Sequence, residues 1–101
     1  MAQFITNNYQ NKINLADIAQ AGRVSKSEAL RCFHQIFQST PIRFLIEYRL
    51  NRARDCLLAN EISISQAALE SGFDNISHFI RLFKKQFGST PKQMVQQHRR
   101  F

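Results

Sequence analysis

Arg31 and Arg81 are the residues of this chain best suited to directed chemistry. Each guanidinium presents five N–H donors in a planar fork, the geometry that bridges two adjacent acceptors, as on a phosphate or a guanine edge. The two arginines occupy matching places in an internal repeat. At a shift of 50, Ser27 to Pro41 aligns with Ser77 to Pro91, and seven of fifteen positions are identical: Ser27/Ser77, Arg31/Arg81, Phe33/Phe83, Phe37/Phe87, Ser39/Ser89, Thr40/Thr90 and Pro41/Pro91. A lone outward arginine is usually a solvated charge. Its recurrence at equivalent sites of two short helices argues for nucleic-acid contact, to a base edge or, less specifically, to a phosphate.

At ~100° per residue, Phe79, Leu82, Phe83 and Phe87 fall on one side of a helix, and Ser77, Arg81, Lys84 and Lys85 on the other. In the first copy the same arithmetic sends Ala29, Cys32, Phe33 and Phe37 to the core, and Ser27, Arg31, His34 and Gln35 outward. Candidate base readers are therefore Ser27, Leu30 and Arg31, with Asn75, Ile76, Ser77, His78, Ile80 and Arg81 in the second copy. Leu30 and Ile80 sit at the border of the core face, where thymine-methyl contact and simple partial burial both account for an apolar residue. Lys26, His34, Arg43, Lys84, Lys85 and Lys92 suit phosphates, contacts that fix register and fade as salt rises. Phosphates would repel Glu28, which is better used in an N-terminal capping box with Ser25. The phenylalanine stripe reads as core and not as a base-stacking platform.

The elements that must position these side chains are marked by their punctuation. The first copy opens at Asn14, with Leu15, Ile18 and Ala19 on one face, and breaks near Gly22 and Arg23 before Ser25 caps a second helix. In the second copy Ser63 with Gln66 opens a helix bearing Ile64, Ala67 and Ala68. It stops at Gly72, and Asp74 or Asn75 caps the next. A shift of 49 matches Leu15 to Ile64, Ala19 to Ala68 and Val24 to Phe73, so the second copy carries one extra turn residue near Asp74. Ala19 and Ala68 are small enough for a close helix crossing. Each copy ends at Gln38 or Gly88, after which Ser-Thr-Pro supplies a threonine cap and a proline at the first helical position.

Between the copies, Ile42, Ile46, Leu50, Ala53 and Leu57 follow helical spacing without a breaker from Pro41 to about Ala59. About eighteen residues span roughly 27 Å, comparable with one turn of B-DNA at ~34 Å, so a rigid connector is expected. An opening helix over about Ala2 to Gln10, with Phe4, Ile5 and Tyr9 on one side, is expected to pack on the first unit.

Composition narrows the classes. The 101 residues, 44% of them apolar, suffice for one small domain or two fused half-domains. Fourteen Lys and Arg against seven Asp and Glu give a net charge of +7 and favour a polyanionic partner. The charge is concentrated: Arg81, Lys84, Lys85, Lys92, Arg99 and Arg100 fall between Asn75 and Phe101, where no acidic residue occurs. Cys32 and Cys56 lack a metal or disulfide pattern and read as small core residues. Three histidines, two cysteines and seven carboxylates form no spaced constellation for nucleophilic or metal chemistry, so neither an enzyme nor a cofactor is expected. Apolar stretches of three or four residues are too short to span a membrane, and no leader is evident, which points to the cytoplasm.

The run from Ile64 to Phe73, followed by Ser77 to Pro91, closely resembles the signature of the AraC/XylS family of bacterial transcription regulators. Leu15 to Phe33 resembles that family's first helix-turn-helix, and Arg49, Leu50, Ala53, Leu57 and Leu58 resemble its linker helix, so the likeness covers essentially the whole chain. It implies two recognition helices entering successive major grooves of an asymmetric promoter site, with DNA bending and contacts to RNA polymerase. By position, Ser27, Leu30, Arg31, Ile76, Ser77, His78, Ile80 and Arg81 match the family's base-contacting slots. Arg23 stands where the first turn often has glycine, and Ala29 is smaller than the usual leucine. Many members carry an upstream sensing or dimerising domain, for which this chain has no room, so an excised domain or a small stand-alone regulator is expected.

The expected fold is all-α: two homeodomain-like helix-turn-helix subdomains, residues 1–40 and 60–101, joined by a linker helix over 41–59, with about seven helices in all. The expected partner is double-stranded promoter DNA. A helical protein-interaction module is the alternative from another class, and non-specific architectural DNA binding is a third.

Overall fold

A computed structural model describes residues 1–59 and 62–99. Arg100, counted above in the basic end, and residue 60, the expected start of the second subdomain, lie outside the described residues. Among those described there are seven helices and no strand: α1 (Ala2–Asn8), α2 (Leu15–Ala21), α3 (Lys26–Phe37), α4 (Pro41–Ala59), α5 (Ile64–Glu70), α6 (Ile76–Phe87) and α7 (Pro91–Arg99). The contacts divide the chain into two units, Met1–Tyr48 and Arg49–Phe101, with the boundary inside α4.

Side-chain oxygens replace the acceptors that a helix start lacks. Asn14 and Asp17 form a full capping box at α2, with both bonds 2.9 Å long. At α5 the Gln66 N–H donates to Ser63 Oγ at 3.0 Å. Thr40 Oγ1 accepts from the Arg43 N–H at 3.1 Å, and at α7 Thr90 and Gln93 close a reciprocal box at 3.2 and 2.9 Å. Pro41 and Pro91, at the first helical positions, are buried. Each such cap stabilises its helix by about 1 kcal/mol, enough to fix where these short helices begin.

In the first unit, Ile5, Ile18, Phe33 and Leu45 form the core, with Met1, Ala2, Phe4, Tyr9, Ile13 and Phe44 packed around them. The opening helix thus seals this core through Ile5 as expected. Two expectations are corrected. Phe37 is 40% exposed, although its ring lies 5.2 Å from Phe33 and 5.1 Å from Phe44. As the last residue of α3 it lacks a following turn to cover its outer side. Ile42 is 37% exposed, and α4 buries Leu45 here, because Pro41 and Phe44 set the inward side of its first turn.

The second unit centres on Phe73, Phe79 and Phe83, all buried, with ring centroids 5.0 and 5.6 Å apart along that series. Its other buried residues include Leu50, Ala53 and Leu57 of α4, Ala67 and Ala68 of α5, and Ser71. Phe87 packs on Phe83 at 4.6 Å, and the Arg54 guanidinium lies 4.7 Å over the Phe87 ring, a cation–π contact. Cys32 and Cys56 are half-buried free thiols.

Candidate nucleic-acid interface

The candidate site is built from two turns and the helices that follow them. In the first turn the Val24 N–H donates to the Ala19 carbonyl at 3.0 Å, and in the second the Phe73 N–H donates to Ala68 at 2.9 Å. Ala19 and Ala68 are themselves buried, at the positions where small side chains were expected. The residue before each donor takes a positive φ: Arg23 at 55° and Gly72 at 97°. The turn in the second unit then runs one residue longer before its helix begins.

Ser25 starts α3 by accepting the Glu28 N–H at 3.2 Å. The expected reciprocal box is only half present. The Glu28 carboxylate takes the Ser25 hydroxyl at 3.1 Å in place of a backbone N–H, because the hydroxyl already lies within its reach. Asn75, and not Asp74, starts α6, with its Oδ1 accepting the His78 N–H at 2.9 Å. One acceptor of the candidate reader Asn75 is thereby engaged, and its amide N–H groups carry whatever donor role it has. Both helices end in left-handed residues, Gln38 at φ 52° and Gly88 at φ 80°, which close the last turns onto His34 and Lys84.

The two helices present matched faces. Phe33 and Phe83 point into their cores, whereas Ser27, Arg31 and His34 on α3 and Ser77, Arg81, Lys84 and Lys85 on α6 are exposed. Lys26, Asn75, His78, Arg43 and Lys92 are exposed as well. Leu30 is 40% exposed beside Arg31, while its counterpart Ile80 is half-buried, as is Ile76. Arg43 also pairs with Glu47 at 3.3 Å on the surface, an interaction worth only ~0.3–0.5 kcal/mol that a stronger anion can displace.

Sequence reasoning did not single out the half-buried charge of Arg49. It is half-buried on α4; burial lowers its guanidinium pKa from the ordinary value, and the nearby Asp74 carboxylate opposes that shift. Asp74 adjoins the cap of α6, so its carboxylate acts on the Arg49 guanidinium from the turn before that helix. The signal was available in the spacing, since Arg49 lies one helical turn from Leu45 and one from Ala53, within an otherwise apolar row.

Among the described residues, no group of three His, Cys, Asp or Glu is placed to hold a metal ion, and no helix is long and apolar enough to cross a membrane.

A helix-turn-helix domain family model matches residues 18–97. A Bacillus subtilis protein described as the uncharacterised HTH-type transcriptional regulator YdeC is 34% identical over 91 residues, covering 90% of this chain and 31% of that protein. The chain spans about a third of the length of most curated relatives it matches. Among solved structures, a DNA-binding transcriptional dual regulator from Escherichia coli K-12 superposes with a TM-score of 0.90 at 25% identity, covering 99% of this chain and 89% of that one. A Chromobacterium violaceum transcriptional regulator described by AraC-type DNA-binding domains gives 0.88 at 31% identity, covering 95% and 86%. With its seven helices, paired turns and matched segment, the chain belongs to the helix-turn-helix domain family of AraC-type transcriptional regulators.

Proposed function

We propose that the chain binds double-stranded promoter DNA sequence-specifically, α3 and α6 entering successive major grooves, and thereby regulates transcription in the cytoplasm. One observation carries this reading: an arginine recurs at the same exposed place of two capped helices whose opposite faces are buried. Arg31 and Arg81 bridge guanine O6 and N7, each pairing contributing roughly 1–3 kcal/mol of discrimination. Ser27, Asn75, Ser77 and His78 supply further donors and acceptors, and Leu30, Ile76 and Ile80 meet thymine methyl groups. Lys26, His34, Arg43, Lys84, Lys85 and Lys92 hold phosphates and set the register. Contacts to RNA polymerase, and coupling to a sensing or dimerising domain, belong to the same reading. The names of the Escherichia coli neighbour and the Bacillus subtilis relative support its regulatory part.

Selection of duplexes from a random pool tests the proposal. Enrichment of one sequence that outcompetes random duplex, with a footprint of two protected major-groove segments, is expected. A pool that stays unenriched, or equal competition by random DNA, contradicts sequence-specific binding and favours an architectural role.

A further inference from the structure

The faces of α3 and α6 match in position but not in charge. Five outward places read Ser27, Glu28, Arg31, His34 and Gln35 on α3, against Ser77, His78, Arg81, Lys84 and Lys85 on α6, and all ten residues are exposed. Serine and arginine are shared. The other three pairs all change in the cationic direction: carboxylate to imidazole, imidazole to ammonium, carboxamide to ammonium. With histidine neutral, Arg31 and Glu28 cancel on α3, while Arg81, Lys84 and Lys85 leave three positive charges on α6. Beyond that set the first unit has exposed Lys26 in the first turn of α3, Arg23 in the preceding turn and Arg43 on α4, the last paired with Glu47; exposed Lys92 and Arg99 on α7 add to the second unit.

We infer that the two units divide the work of DNA binding unequally: beside the base contact of Arg81, the second supplies most of the affinity for a duplex of any sequence, and the first adds affinity mainly where the bases match. The inference rests on the DNA-binding reading above. Sequence-independent affinity comes from counterions released by phosphate contacts, so it scales with the cations a face presents. An α3 face without net charge gains little from a random groove. There Ser27, Arg31 and Gln35 lose water without finding partners, which costs free energy until base-edge groups replace that water. Glu28 sharpens the difference, since its carboxylate is repelled by phosphates unless a cytosine N4 amine donates to it. The second unit therefore supplies most of the hold on DNA of any sequence, and the first contributes mainly through matching bases.

The test compares affinities for a random-sequence duplex and for the duplex enriched by selection. Wild type, Lys84→Gln/Lys85→Gln, Lys26→Gln/Arg31→Gln and His34→Lys/Gln35→Lys are each titrated at 50 and 200 mM salt. All substitutions are at exposed positions, and circular dichroism checks that helicity is retained. The α6 pair weakens both complexes and reduces the affinity lost between the two salt concentrations by about tenfold, the result of removing two phosphate contacts. The α3 pair lowers affinity for the enriched duplex and alters the salt response on random duplex by less than half as much. His34→Lys/Gln35→Lys raises affinity for random duplex and lowers the ratio of enriched to random binding. Equal salt responses for the α3 and α6 pairs on random duplex overturn the division of work. Failure of the wild type to bind either duplex overturns the DNA-binding reading itself, and is told apart because no variant pattern then exists.

Discussion

Arg23 and Gly72 hold the same place in their two turns, each one residue before the N–H that closes onto Ala19 or Ala68, and both have positive φ, 55° and 97°. Only one of them is a residue for which that conformation is free of steric cost. The same contrast recurs at the helix ends, where Gln38 stands opposite Gly88. The first unit thus carries two left-handed side-chain residues, each costing about 1–2 kcal/mol.

Replacing Arg23 with glycine relieves that cost at the expense of ~0.5–1 kcal/mol of added chain entropy. We expect Arg23→Gly to stabilise the protein by up to about 1 kcal/mol, and Gly72→Ala to destabilise it by about the same amount. Thermal unfolding followed by circular dichroism measures both, and a fall in melting temperature for Arg23→Gly contradicts the strain.

Asn75 is expected to act first as a cap. Asn75→Ala should lose about 1 kcal/mol of stability, because the His78 N–H loses its acceptor, whereas Asn75→Ser should recover it. Duplex affinity measured on the same variants separates the roles: recovery of stability without affinity is predicted, because the amide N–H groups contact DNA, and full recovery of both with serine would show that Asn75 acts only as a cap.

The buried and exposed phenylalanines should separate sharply in stability. Phe83 is wholly buried and packs between Phe79 and Phe87, so Phe83→Ala is expected to cost about 3–5 kcal/mol. Phe37→Ala removes a ring that is 40% exposed and should cost less than half as much. Denaturant midpoints provide the comparison, and similar losses would show that the end of α3 is covered in solution.

Repetition made most of the architecture legible. Matching residues fifty positions apart located α3 and α6, and Asn14, Ser25, Ser63, Thr40 and Thr90 marked helix starts because short polar side chains there have one clear backbone partner. Several features were less legible. Phe37 looked like core because helical periodicity continues to the last residue, whereas burial also needs a neighbour beyond it. The α4 stripe was read as a single face, but Leu45 serves the first unit while Leu50, Ala53 and Leu57 are buried in the second. Asp17 went unnoticed as the partner of Asn14, since the expected box residue was Glu or Gln. The burial of Arg49 was hidden by its charge, which suggests a surface position.

The candidate site was legible in its exposed faces and less so in its competing bonds. That Ser27, Arg31, Ser77 and Arg81 face solvent follows from the phase set by Phe33 and Phe83. That Asn75 and Glu28 spend polar atoms on caps depends on backbone geometry just outside the helices, which periodicity does not describe.

The most direct measurement is the effect of Arg81→Ala on affinity for a selected duplex and for random duplex, at one salt concentration. Base reading predicts a loss of roughly 1–3 kcal/mol on the selected duplex and a markedly smaller loss on random DNA. Equal losses on the two would mean that Arg81 touches only phosphate, and would contradict the account.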